Sequence, residues 1–218
     1  MSKIFWFIFS IAFIYRLWGI NNPLLDFHSW RQTGTASISR NFYEGGMNIF
    51  KPQLDTIPEG NIKALYAVEF QLYPYLVALF YFIFGAQDWI GRLVSVLFGM
   101  GALFYIYFIA KKYYDEKIAL WASGFYAVLP MAVFYNRTFQ PEAAMLFFSI
   151  AGIYHFSEWA EHCFETKENS ILNWHYFYAT LFTLCAFLVK IPTLYLMFPL
   201  FYLVFYYWNW NIFKMKSL

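Results

Sequence analysis

Charge is what this chain has least of. Lys, Arg, Asp and Glu make up 13% of its 218 residues, against about 25% in a soluble domain. The formal net charge is +2 and no basic stripe interleaves with the aromatic residues, which excludes a nucleic-acid partner. Cysteine is nearly absent as well. Cys163 and Cys185 have neither metal-ligand spacing nor the numbers of a disulfide framework, and read as packing residues. No small-residue cleavage site follows the apolar N-terminus, so residues 4–20 are expected to stay as a first membrane span, with Arg16 near its far end snorkelling to the interface. A Walker or dinucleotide fingerprint and a Ser-centred nucleophile elbow are also missing, and His28 has no companion histidine at zinc spacing.

What the chain does have is apolar surface. It is 61% hydrophobic and 26% aromatic, enough to line two bilayer interfaces and fill helix contacts. Length and charge together predict an all-α polytopic membrane protein with six crossings, at about 4–20, 91–110, 118–136, 143–160, 175–189 and 193–210. The run at 70–85, "FQLYPYLVALFYFIFG", is the shortest and contains Pro74; it is expected to lie in or re-enter the outer interface. That choice puts Lys3, the "KKYYDEK" and "EHCFETKENS" loops and the tail "NIFKMKSL" in the cytoplasm, as the preference of short cytoplasmic loops for Lys and Arg requires.

The same topology gathers the polar segments on the other side. The outer loop 21–69, the turn "YNRTFQPE" and the turn "VKIP" bring Asp26, His28, Arg31, Glu69, Arg137, Glu142 and Lys190 to one leaflet. Ionisable residues at span ends can be interface anchors, but seven of both signs on one side fit a polar site better. Within the loop, "DFHSWRQTGTASISRNFYEGG" predicts one surface helix, with Asp26 as N-cap and Gly45–Gly46 as its stop. The stretch after Gly46, with Pro52, Pro58 and Gly60, predicts an ordered loop over the membrane surface. His155, in mid-span, reads as a helix-contact residue before a proton relay. Asn136-Arg137-Thr138 matches a glycosylation sequon but lies too tight against the membrane to carry weight.

The order of these features resembles the membrane-embedded GT-C glycosyltransferases, specifically relatives of the protein O-mannosyltransferases and of the aminoarabinose transferases that modify lipid A. The features are an apolar span with a late Arg, an acidic residue heading the first outer loop, and an acidic residue before a Pro/Tyr-rich segment. "R--S--FG", "R----PE" and a Lys-x-Pro turn follow in that order. The resemblance runs from Arg16 to Pro199 and implies one GT-C-like module over residues 1–218, truncated at its C-terminus. It implies an inverting hexosyl- or pentosyltransferase that passes a sugar from a polyprenyl-phosphate donor to a lipid, glycan or protein acceptor outside the cytoplasm, in the inner or plasma membrane.

By the same resemblance Asp26 matches the catalytic acid, followed here by Phe27 and His28 instead of a second carboxylate, and Glu69 matches the second acidic position. Arg137 and Glu142 match an Arg–acid pair. Lys190 matches a Lys-Gly-Pro turn in which Ile191 replaces Gly. Asp26 would serve as general base, with Glu69 orienting the acceptor or tuning that base. Arg137, Lys190 and Arg31 would hold the lipid phosphate, with His28 and Glu142 beside them. No metal motif is present, and a divalent cation near the acidic residues is left open. The alternative is a non-catalytic scaffold, or a protein that binds or transports lipid-linked sugars.

Overall fold

Mostly apolar helices of unequal length carry most of the described residues, and their breaks decide where the polar groups meet. The computed structural model describes residues 2–56, 62–66, 69–166 and 173–208. The sequence-predicted cytoplasmic tail, the "KENS" end of the "EHCFETKENS" loop, and Pro58 and Gly60 lie outside the described residues.

Helix α1 (Lys3–Leu17) starts on Ser2, whose side chain accepts the Phe5 N–H. After the outer helix α2 (Ser29–Glu44) come two short strands, β1 (Gln53–Thr56) and β2 (Ile62–Leu65), paired antiparallel with Gln53 opposite Leu65. The expected ordered loop therefore holds a two-stranded ribbon. It docks on α2 through Asp55, whose two carboxylate oxygens accept from Ser37 and Asn41, while Asn41 also donates to the Gln53 carbonyl. Between these polar contacts Leu54 packs on the small apolar cluster of Ile38, Phe42 and Ala78, a pairing that the scattered prolines hid.

Helix α3 (Leu72–Phe84) has 13 residues, about 20 Å at 1.5 Å per residue and short of a bilayer's ~30 Å. Both of its ends touch the first turns of α4 (Asp88–Tyr113): Tyr73 reaches Gly91 and Ser95, and Phe84 meets Trp89. It thus stays at one end of α4. Among the described residues α4 is the one helix both long and apolar enough to cross a membrane by length and composition. Helix α7 (Glu142–Thr166) packs against α4, α8 (Trp174–Val189) and α9 (Met197–Trp208), the last preceded by a 3-10 turn at Ile191–Leu196.

The predicted crossing at 118–136 is two helices, α5 (Glu116–Val128) and α6 (Pro130–Tyr135). Pro130 has no N–H to offer the Tyr126 carbonyl, so the ladder stops there. Arg16 fills the gap. It is wholly buried and donates to the carbonyls of Ala12, Ala127 (3.0 Å) and Tyr126 (3.1 Å). The expected snorkelling arginine is instead an internal cap for a broken helix. Arg16→Met should leave the Tyr126 and Ala127 carbonyls unpartnered at about 1–3 kcal/mol each, and should lower the thermal aggregation midpoint well below that of Arg16→Lys, which keeps one donor head. Equal midpoints for the two variants would refute the cap.

Glycines let the 136–141 turn press onto α4. A Cβ on Gly91 would lie 2.1 Å from the Phe139 ring and one on Gly99 would lie 2.4 Å from Asn136. Asn136 is buried and donates to the Tyr126 hydroxyl, so the sequon asparagine is a packing residue.

Candidate active site

The polar groups converge where the breaks and glycines bring four helix ends together. These are the C-terminal end of α1, the N-terminal ends of α4 and α7, and the C-terminal end of α8. At the opposite end Lys112 pairs with Glu158 and Glu161, and Tyr107 donates to Glu116. Arg92 and Lys112 are separated on α4 by about 30 Å at the helical rise, close to the thickness of a hydrocarbon core.

Asp26 does not cap α2. The helix begins at Ser29, and its cap position is His28, left-handed at φ 61° with no side-chain cap bond. The turn at His28 swings Asp26 away from the helix axis and toward α4. There Arg92, almost fully buried, places both terminal nitrogens 3.4 Å from Asp26 Oδ2 and donates to the Pro23 carbonyl. The other carboxylate oxygen, Oδ1, accepts from Gln32 Nε2. Gln32 is itself fully buried, and its Oε1 accepts the backbone N–H of Phe139 at 3.1 Å. Asp26 is thus held by an arginine and an amide and keeps one side open, its side chain 36% exposed.

A second cluster forms three residues beyond Phe139. Glu142, the first residue of α7, accepts from Lys190 Nζ at 2.6 Å and lies 3.8 Å from Arg31. Lys190 follows α8 in an extended conformation and Ile191 does not take a positive φ, so the expected Lys-x-Pro turn closes with Ile191 in place of Gly. Thr193 Oγ1 secures it by donating to the Lys190 carbonyl. Two cations therefore face one carboxylate. Beside them a cavity of about 90 Å³ is lined by Arg31, Glu69, Gln71, Tyr73, Pro141 and Val189 among others.

The predicted residues thus divide. Arg31, Glu142 and Lys190 meet, with Glu69 on the same cavity wall as Arg31. Asp26 belongs to a separate constellation joined to them through Gln32 and the 139–142 segment. Arg137 turns the other way and donates to the Trp18 carbonyl, tying the turn to α1. His28 packs its ring on Phe27 and makes no ion pair among the described residues. Among those residues no three His, Cys, Asp or Glu side chains gather as a metal-ligand set.

Sequence reasoning missed two partners, Arg92 and Gln32. Arg92 was legible in "IGRLVSVLFG" as a charge inside an apolar run, which flags function. Its i, i+3 partner Ser95 shares its helix face and donates to the Thr138 carbonyl at 2.6 Å, so the R--S spacing serves both constellations. Gln32 carried no such signal, because polar residues are ordinary on a surface helix.

Comparison with known proteins agrees with this architecture. An uncharacterized protein of Aquifex aeolicus (strain VF5) is 27% identical over 157 residues, covering 72% of this chain and 35% of the relative. The chain therefore spans about a third of that relative's length. No solved structure matches the chain. The family described as dolichyl-phosphate-mannose-protein mannosyltransferase matches residues 71–217, taking in Arg92, Arg137, Glu142 and Lys190, while Asp26, Arg31 and Glu69 precede the matched region. Because that match covers more than half of the sequence, the chain belongs to the dolichyl-phosphate-mannose-protein mannosyltransferase family, a GT-C-type family of integral membrane proteins.

Proposed function

We propose that this chain holds the outward-facing site of an inverting glycosyltransferase that moves a sugar from a polyprenyl-phosphate donor to an acceptor hydroxyl. The observation that carries the proposal is the pairing of Arg31 and Lys190 with Glu142 beside a cavity, next to a separately held Asp26. Two cations against one carboxylate leave a positive charge for the lipid phosphate, which departs as an anion and is stabilised by charged donors already in place. The Asp26 carboxylate, held by Arg92 and Gln32 with one side open, can take the acceptor's proton, an effect typically worth about 10²–10⁴-fold. Glu69, on the cavity wall, orients the acceptor. The site faces outward because the opposite end of the bundle carries Lys111, Lys112 and Lys117, and short cytoplasmic loops favour lysine.

The test uses membranes containing the full-length polypeptide and a radiolabelled polyprenyl-phosphate mannose. Release of polyprenyl phosphate with label passing to an acceptor is expected; donor binding without release would favour the lipid-linked-sugar binding protein instead. Sidedness is read in intact cells after replacing Cys163 and Cys185. Lys51→Cys should react with a membrane-impermeant maleimide, and Lys117→Cys only after permeabilisation. Both positions are exposed in the fold, so a reversed labelling pattern would turn the site to the cytoplasm.

A further inference from the structure

Gln32 makes a set of contacts that α2 does not need for its own stability. Its amide orientation is fixed from outside: the Phe139 N–H can only donate, so Oε1 must face it and Nε2 must face Asp26 and the Phe27 carbonyl. The Asp26 carboxylate offers about four lone-pair directions. Gln32 occupies one on Oδ1, and the two Arg92 nitrogens approach Oδ2. What stays open points away from both partners, on the exposed side.

We infer that Gln32 is a positioning residue, which aims the free edge of the Asp26 carboxylate and ties it to the 139–142 segment that carries Glu142. This rests on the proposal that Asp26 is the base. Through one side chain the base segment and the cation cluster keep a fixed separation, so the acceptor oxygen and the departing phosphate are held in one geometry. A misplacement of about 1 Å can cost about 10²-fold in rate. The loss from freeing Asp26 should therefore appear in kcat, with KM for the donor little changed.

Two substitutions at Gln32 separate positioning from packing. Gln32→Met keeps the volume and removes both polar ends, and kcat should fall about 10²-fold. Because it also strands the buried Phe139 N–H, Gln32→Glu is the decisive partner variant. It keeps an acceptor for that N–H and opposes Asp26 with a second carboxylate. Two adjacent carboxylates resist joint ionisation, so the rise of kcat/KM with pH should move upward by about one unit or more. The other charged group facing Asp26 is Arg92 from α4; His28 follows two residues later in the same segment. The shift must persist in Gln32→Glu/His28→Gln.

The assay is transfer from radiolabelled polyprenyl-phosphate mannose by the full-length polypeptide, with Asp26→Asn run alongside. An inactive Asp26→Asn with a shifted Gln32→Glu profile supports the inference. An inactive Asp26→Asn with an unshifted Gln32→Glu profile overturns the inference and leaves the base assignment standing. Near-native transfer by Asp26→Asn removes the base assignment, and the inference with it.

Discussion

Asp26→Asn should lower sugar transfer by about 10²–10⁴-fold, the range that general-base assistance supplies. It should also cost stability, which a helix cap would not. Asn caps a helix as well as Asp does, so a capping Asp26 would give Asn and native proteins of equal melting temperature. In this fold both carboxylate oxygens accept, one from Gln32 and one from Arg92. Asn has one acceptor, so either the Gln32 amide or the Arg92 guanidinium would face an NH2 group. A hydrogen bond to a charged group is worth about 1.5–3 kcal/mol, and a melting temperature lower by several degrees follows.

The double variant decides whether Asp26 acts on substrate or only neutralises Arg92. Arg92 is buried, so losing the Asp26 charge strands it, whereas removing both charges is often near neutral. Asp26→Asn/Arg92→Met should therefore recover much of the lost stability. If Asp26 is the base, transfer remains absent in this restored protein. Recovery of transfer together with stability would make Asp26 a counter-ion, and the base would have to be sought at Glu69.

The contrast between cap and ion pair marks how far the sequence carries. Apolar runs found each long helix, because burial of one face is written in composition over a dozen residues or more. Gly45 and Gly46 ended α2 where expected, with Gly46 at φ 89°. The start of α2 was misplaced because Asp is a favoured cap type, while the real turn uses a left-handed His28 that few sequences would announce. The break before Pro130 was legible in principle. Its remedy was not, since Arg16 lies more than a hundred residues away and only folding brings it to those carbonyls. Likewise Glu142 and Lys190 were each readable as polar residues at span ends, but their direct contact depends on α7 and α8 packing side by side. Pairing follows from side-chain reach.

That pairing makes Glu142 and Lys190 differ in a way no structural salt bridge would. Both are largely buried, with side chains 16% and 12% exposed, so either single truncation strands a charge and costs about 3–5 kcal/mol at most. If the pair were only structural, Glu142→Gln and Lys190→Met would lower stability and activity in parallel. If Lys190 holds the departing lipid phosphate, the two variants part company. Lys190→Met removes a donor to the developing anion and should lower kcat by about 10²–10³-fold, as loss of an oxyanion donor does. It should also weaken inhibition by the product polyprenyl phosphate by about tenfold or more, equivalent to about 1.4 kcal/mol. Glu142→Gln leaves Lys190 and Arg31 without their shared carboxylate, so polyprenyl phosphate should bind as tightly as to the native protein or tighter. Tighter product binding slows release, so Glu142→Gln should show reduced kcat alongside a lowered inhibition constant. The measurement is inhibition of transfer by polyprenyl phosphate in both variants at one ionic strength. Opposite shifts in the inhibition constant assign the phosphate to Lys190 and Arg31; parallel weakening would return the pair to a structural role and move the phosphate elsewhere.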